Sequence, residues 1–259
     1  MASHAVTATD LHHSEEHPPE MIWSAKTPIG LMGMLFFIGS EIALFGSFFM
    51  SYFFMRVAGE ADYSTWAAQV GDILPLKVVT YNSLILFTSS VTIHYAEICL
   101  ARGARRAQAF WLGATIVLGL TFLSVQIAEY KVLVTADFIG PSTSSYSSVF
   151  FSLTGLHGSH VLVGAILLSI MLVRTLRGHY GPDPQQHVGF KTMSIYWHFV
   201  DLVWVFVFGL IYVPGNWGRW TDTQVFGMPG QFAFFGGAAV IVFLLFLPNL
   251  IGKGAPKHK

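Results

Sequence analysis

Residues 194–208 read SIYWHFVDLVWVFVF, a stretch apolar enough to lie in lipid that nevertheless holds a histidine and an aspartate three residues apart. An ionisable side chain at the centre of a bilayer costs roughly 2.5–3.5 kcal/mol on insertion scales. Because residues three apart share one face of a helix, His198 and Asp201 point the same way. Either this face turns toward a protein interior, or the segment does not cross a membrane.

The composition of the whole chain favours a membrane protein. Of its 259 residues 53% are hydrophobic and 11% are charged, whereas a soluble domain carries about 25% charged residues. The net charge of zero gives no reason to expect a nucleic-acid partner. Cys99 is the one cysteine, which excludes a disulfide within the chain and a cysteine-based metal site.

Long apolar segments predict transmembrane helices. A helix needs about 20 apolar residues to cross the bilayer. Six stretches qualify, at roughly residues 29–55, 78–100, 110–134, 147–173, 193–213 and 231–251. The polar alternation of a transmembrane barrel is missing. The sequence therefore predicts an all-α fold, a polytopic transmembrane bundle of about six spans.

The distribution of basic residues predicts the orientation. With the N-terminus in the cytoplasm, ten Lys and Arg residues lie inside and four outside, as the positive-inside rule requires. Both termini are then cytoplasmic. The predicted organisation is a polar, His-rich disordered tail (1–27), a five-helix bundle (28–213), an outer loop (214–230), an additional helix (231–251) and a basic cytoplasmic tail (252–259).

Few ionisable side chains fall inside the predicted spans. We select them as candidate intramembrane polar or lipid-pocket residues: Glu41, His94, Glu97, Glu129, His157, His160, His198 and Asp201. Six of them form pairs three residues apart, each of which is expected to face the bundle. Glu41 is the most unusual, since no basic residue lies within a turn of it. Its carboxyl needs a partner on another helix, such as a hydroxyl or a backbone carbonyl.

Three interpretations of these groups compete. Histidines at positions i and i+3 can ligate a metal or a haem, but His94 and His198 are expected toward the inner side, and His157 and Glu129 toward the outer side. One centre cannot use all of them, so no metal site is predicted. A proton path through Glu41 and purely structural pairing both stay open.

Four segments resemble subunit III of the haem-copper respiratory oxidases, the cytochrome c oxidase family. YWHFVDLVWVFVFGLIYV (196–213) is similar to the signature of that family's last helix. TGLHGSHVLVGAILL (154–168), SEIALFGSFFMSYFF (40–54) and VQIAEYKVLVTADFIGPSTSSYSSVFF (125–151) resemble three of its other conserved stretches. The resemblance runs in order over about residues 29–213.

The resemblance implies a function and a role for the polar residues. Members of this family pack beside the catalytic subunit I, carry no haem or copper, bind phospholipids in a cleft and support proton uptake and durable turnover. Glu41 matches the family's buried, carbodiimide-reactive glutamate. Five further candidates match its other intramembrane polar positions: Glu129, His157, His160, His198 and Asp201.

The resemblance also implies partners and a location. These are oxidase subunits I and II, which hold the haem and copper, membrane phospholipids, and cytochrome c or a linked haem domain as electron donor. The chain itself is expected to have no active site and to lie in the cytoplasmic membrane of a bacterium. It lacks the two helices that precede Glu41 in longer members. A quinol oxidase, a nitric oxide reductase and a stand-alone transporter remain as alternatives.

Overall fold

The fold is a bundle of long helices. The computed structural model describes residues 29–58, 76–135, 139–180 and 187–212, together with 224–225 and 228–229. The helices are α1 (Ile29–Ala58), α2 (Leu76–Ala101), α3 (Arg105–Thr135), α4 (Ser145–Leu176) and α5 (Val188–Val207). A π-helical turn, Phe208–Tyr212, extends α5. Strands β1 (Gln224–Val225) and β2 (Met228–Pro229) form a short antiparallel hairpin.

All five helices are long and apolar enough to cross a membrane, which confirms the predicted all-α transmembrane fold for the first five spans. The predicted sixth span, 231–251, lies outside the described residues, as do the two tails and most of the loop 214–230. Helix α5 begins at Val188 rather than at residue 193, because a helix satisfies its own backbone hydrogen bonds even where its side chains turn polar. The earlier start adds a turn at the inner end, on the side where the sequence places His198 and Asp201.

Contacts between helix ends show that the helices alternate in direction. The first turn of α1 lies against the first turn of α5, since a Cβ on Gly30 would stand 3.8 Å from Val188 Cγ1. At the opposite end, the Tyr146 hydroxyl at the start of α4 donates to the Met55 carbonyl near the end of α1. We call the end that carries the starts of α1, α3 and α5 the inner end, following the predicted orientation.

The core is centred on α5, which packs against α1, α2 and α4. Trp197 is fully buried, and its indole N–H donates to Ser89 Oγ on α2 at 2.9 Å. A Cβ on Gly119 of α3 would stand 2.7 Å from the Trp197 ring, and one on Gly164 of α4 would stand 2.9 Å from it. Two glycines therefore leave the space that this indole fills between three helices.

Other glycines of α1 and α3 differ from Gly119. A Cβ would meet nothing within 4 Å at four other positions: Gly33, Gly39, Gly46 and Gly113. Within the described helices of this chain, nothing packs closely against these four positions.

Candidate functional site

Glu41 of α1 and His160 of α4 form a direct contact at the edge of the bundle. Glu41 Oε2 lies 2.9 Å from His160 Nε2, and the two side chains are only 14% and 13% exposed. His160 Nδ1 lies 2.8 Å from the Leu156 carbonyl. A carbonyl only accepts, so this contact assigns a hydrogen to Nδ1, and a hydrogen bond between Nε2 and the carboxyl then needs a hydrogen on one of those two atoms.

Aromatic side chains fix the position of this pair. The Tyr196 hydroxyl of α5 donates to the His160 carbonyl at 3.1 Å, and the Phe45 ring lies 5.2 Å from the imidazole between centroids. The expected interhelical partner for Glu41 is therefore present, but it is an imidazole rather than a hydroxyl or a carbonyl. The sequence did not single out Tyr196 or Phe45, since aromatic residues are common throughout the spans.

An apolar groove runs between α1 and α5 beside this pair. Its volume is about 300 Å³, and it is lined by Ile42, Phe45, Gly46, Phe49, Phe199, Leu202, Val203 and Phe206. The side chains at its rim, Ile42 and Phe206, are more than half exposed. The groove opens on the outer surface of the bundle, and its lining is apolar.

His198 and Asp201 of α5 face the protein interior as predicted, and their partner is Ser90 of α2. The Ser90 hydroxyl donates to Asp201 Oδ2 and lies 3.1 Å from His198 Nδ1. Asp201 is fully buried and His198 is 4% exposed. His198 Nε2 and Asp201 Oδ1 have no hydrogen-bond partner among the described residues. One hydroxyl thus joins a carboxyl and an imidazole in the centre of the bundle.

His94 and Glu97 lie at the inner end of α2, as predicted. His94 Nδ1 stands 3.8 Å from Glu97 Oε2, with the side chains 12% and 21% exposed. The distance is that of an ion pair rather than a hydrogen bond. Both groups lie closer to the surface than His198 does.

His157 and Glu129 occupy separate positions near α3. The His157 ring is fully buried and lies 4.8 Å from the Trp204 ring and 5.8 Å from the Phe122 ring. Neither of its nitrogens, nor Glu129 Oε1, has a hydrogen-bond partner within the described helices. His157 therefore faces α3 and α5 while His160, three residues on, faces α1. Residues three apart on a helix do not necessarily share a partner.

A small polar cluster that the sequence did not predict links α3 to α4. Gln126 Nε2 donates to the Thr154 carbonyl at 3.0 Å, and the hydroxyls of Tyr130 and Thr154 bond to each other. The eight predicted residues thus lie in several separate places rather than in one centre. Within the ranges that the structure describes, no group of three or more His, Cys, Asp or Glu side chains is placed to hold a metal ion.

Comparison with known proteins covers the whole described bundle. Residues 24–218 match the family model for cytochrome c oxidase subunit III. Cytochrome c oxidase subunit 3 of Thermostichus vulcanus is 34% identical over 208 residues, 80% of this chain and 94% of the relative. The protein of the same name from Alkalihalophilus pseudofirmus is 35% identical over 202 residues, 78% of this chain and 94% of its own length. That of Gallus gallus is 36% identical over 186 residues, 71% of this chain and 69% of the relative.

Proposed function

The chain belongs to the cytochrome c oxidase subunit III family, and we propose that it is the accessory subunit of a proton-pumping terminal oxidase. In this role it lies beside subunits I and II in the cytoplasmic membrane of a bacterium, takes part in aerobic respiration, and leaves the haem and copper chemistry to those partners. The family match over residues 24–218 carries the proposal.

Stabilisation of subunit I is the first part of this role. Helix α1 presents large apolar side chains outward, among them Phe36, Met50 and Phe54, each at least 70% exposed. In a membrane such a face contacts lipid or another subunit without cost. A bundle that is rigid at its centre and apolar at its rim is suited to packing beside a larger helical partner.

Phospholipid binding is the second part, and the groove between α1 and α5 supports it. Its lining consists of apolar side chains and one glycine, and it opens toward the lipid phase. Phe45 lines the groove and also contacts the His160 ring. A bound acyl chain would therefore exclude water from one side of the Glu41–His160 pair.

Support of proton uptake is the third part, and it depends on the Glu41–His160 pair. Glu41 Oε2 and His160 Nε2 lie 2.9 Å apart, and a hydrogen bond between them needs one proton on one of the two atoms. When it resides on the carboxyl both groups are neutral, and when it moves to the imidazole they form an ion pair. Both states keep the same hydrogen bond. Both side chains retain some exposure at the edge of the bundle, and the proposed role requires a neighbouring subunit or a water molecule to exchange the proton there.

Purification of the native complex tests the assignment. A tag on this chain, gentle detergent extraction, mass identification of the co-purifying proteins and a reduced-minus-oxidised haem spectrum are required. Oxidase haem bands together with subunits I and II are expected. A dicopper domain on the companion subunit would identify cytochrome c, or a haem domain linked to it, as the donor. A haem-free chain that purifies alone from native lipid would contradict the proposal.

A further inference from the structure

Two sides of α2 are assigned to neighbouring helices by hydrogen bonds. Among the described helices, α2 packs mainly against α3 and α5. Asn82 and Thr92 bond to groups of α3, whereas Ser83 and Ser90 bond to groups of α5. These four contacts fix the directions in which α3 and α5 lie as seen from α2.

Thr80 and Phe87 lie on a third side of α2, which is also buried. An α-helix turns by about 100° per residue, so Phe87 lies roughly 140° around the helix from both Asn82 and Thr92. Thr80 and Phe87 thus lie nearly opposite α3, with α5 to one side of them. They are 0% and 3% exposed, although Thr88, at the same depth, is exposed. Their burial needs a neighbour other than α3.

The described helices leave an opening on that side of α2. Helix α1 packs against α4, α4 against α3 and α3 against α2, and these four form a curved row beside α5. Helices α1 and α2 are the two ends of the row, and among the described helices they form no comparable packing with each other. The face of α2 that carries Thr80 and Phe87 turns away from α3, and therefore toward this opening.

The depth of Phe87 restricts what can cover it. Helix α2 begins at the outer end with Leu76, and Phe87 lies roughly 16 Å further along the helix at 1.5 Å per residue. A loop at the outer surface does not reach this far into hydrocarbon, because its backbone would lack hydrogen-bond partners there. The neighbour of Phe87 must therefore be a helix that enters the membrane.

The chain supplies such a helix directly after the β-hairpin. Strand β1 contacts α2, and β2 ends at Pro229, so the chain lies beside α2 just before the predicted sixth span begins. Residues 231–251 read QFAFFGGAAVIVFLLFLPNLI, which is long enough to cross the bilayer. The small residues GGAA (236–239) favour close approach of two helices in a membrane.

We propose that the predicted sixth span, residues 231–251, packs in the opening between α1 and α2, against the face of α2 that carries Thr80 and Phe87. It runs from the outer to the inner end, in the same direction as α2, and delivers the basic tail to the inner side. With residue 231 at the depth of Leu76, residues 236–239 lie at depths between Thr80 and Phe87. The proposal does not depend on the oxidase assignment, because both surfaces belong to this chain.

Photo-crosslinking from α2 in native membranes is the first test. The photoreactive residue p-benzoylphenylalanine replaces Val91, which is half-buried and lies one turn from Phe87 on the same side of the helix. The matched control carries it in place of the exposed Thr88. After irradiation, the linked peptides are identified by mass spectrometry. We expect the probe at Val91 to link to residues 231–251 of the same chain, and this product to be lost with the probe at Thr88.

Photo-crosslinking from the span is the second test, and it leaves α2 unaltered in case a probe there disturbs folding. The same residue replaces Val240, Ile241, Val242 or Phe243, four consecutive positions that together cover a full turn of helix. We expect links to α2 from one or two of these positions and links to lipid from the others.

Several outcomes would overturn the proposal. One is a probe at Val91 that links only to lipid, to another subunit or to a different part of the chain. A second is equal linkage to 231–251 from Val91 and from Thr88, which would indicate unspecific proximity. A third is linkage to α2 from all four span positions or from none. A product with twice the mass of the chain would identify a second copy, rather than the chain's own span, as the neighbour of α2.

Discussion

Helices α1 and α5 each bring a carboxyl group to an imidazole, yet they lie at opposite extremes of burial. Of the α1 side chains that the structure describes, only Phe45 and Tyr52 are buried, whereas α5 buries twelve of its twenty residues. Glu41 of α1 meets His160 directly and keeps 14% of its side chain exposed. Asp201 of α5 is fully buried and meets His198 through the Ser90 hydroxyl.

The difference indicates that similar chemical groups serve different purposes in the two places. In the centre of the bundle, a polar group without its partner has no water to replace that partner, so each member of the Ser90–His198–Asp201 unit needs the others to stay hydrogen-bonded. At the edge, only Phe45 and Tyr52 of the described α1 side chains are buried, so the loss of one partner disturbs less of the packed centre. The proposed role in proton uptake requires the Glu41–His160 pair to change protonation while the fold persists, and a position at the edge favours this more than one in the centre.

Removing the bridging hydroxyl should have the largest effect. Ser90→Ala leaves Asp201 Oδ2 and His198 Nδ1 buried without a partner, and each such group costs about 1–3 kcal/mol. We expect the free energy of unfolding in mixed detergent micelles to fall by about 2 kcal/mol or more. Ser124→Ala is a control for loss of a hydroxyl, because Ser124 is exposed and bonds only to the Leu120 carbonyl of its own helix.

A triple variant separates the effect of losing one hydrogen-bond partner from the effect of losing the whole polar unit. Ser90→Ala combined with His198→Leu and Asp201→Leu removes every polar member at once, and apolar replacement of a buried ionic group is often neutral or stabilising. Most of the stability should return. A triple variant less stable than Ser90→Ala would show that the unit contributes to stability beyond the hydrogen bonds among its members.

Filling the space beside Trp197 should have the next largest effect. Gly164→Ala places a methyl group 2.9 Å from the indole, and overpacking of this kind typically costs about 1–3 kcal/mol. Gly46→Ala is the matched control on α1, where a Cβ meets nothing within 4 Å. Thermal unfolding of the purified complex should separate the two variants. Equal melting temperatures would contradict the contrast between a tightly packed centre and an open edge.

Much of the fold could be predicted from the sequence, because the bilayer imposes one simple demand on every span. A run of about 20 apolar residues satisfies that demand, so five helices were located within a few residues of their ends. The start of α5 was missed since Lys191 and Thr192 are polar although the helix continues through them. Hydropathy locates the membrane core, whereas hydrogen bonding decides where a helix begins.

The candidate site could be predicted only residue by residue. Ionisable groups in apolar spans stand out, so Glu41, His160, His198 and Asp201 were all found. Their partners were not, because Ser90 is one of many serines and pairing between helices depends on how the helices rotate against each other. Spacing alone also does not assign partners on α4, where His157 and His160 contact different helices.

Changing Glu41 should affect stability less than either change in the centre. An interhelical hydrogen bond in a membrane protein contributes about 0.6 kcal/mol on average, and we expect Glu41→Leu to cost about that much. Glu41→Gln keeps a hydrogen-bonding group toward His160 but cannot carry the exchangeable proton. This variant should therefore keep the stability of the wild-type protein, while the complex should lose its activity sooner during turnover. If Glu41→Leu lowered the free energy of unfolding by more than about 2 kcal/mol, the Glu41–His160 pair would be structural, like the polar unit in the centre.

The smallest effect is expected at His157, where an ionisable residue lies in the centre but not in a polar unit. Its ring contacts Trp204 and Phe122, and neither nitrogen is hydrogen-bonded within the described helices. His157→Phe keeps an aromatic ring and removes two unsatisfied polar atoms, so stability should be unchanged or rise by up to about 1 kcal/mol. Unfolding measured alongside Ser90→Ala tests this directly. His157→Phe would contradict this if it lowered the free energy of unfolding as much as Ser90→Ala does. Burial alone would then account for the effect of changing a central residue, and the hydrogen bonds of Ser90 would not.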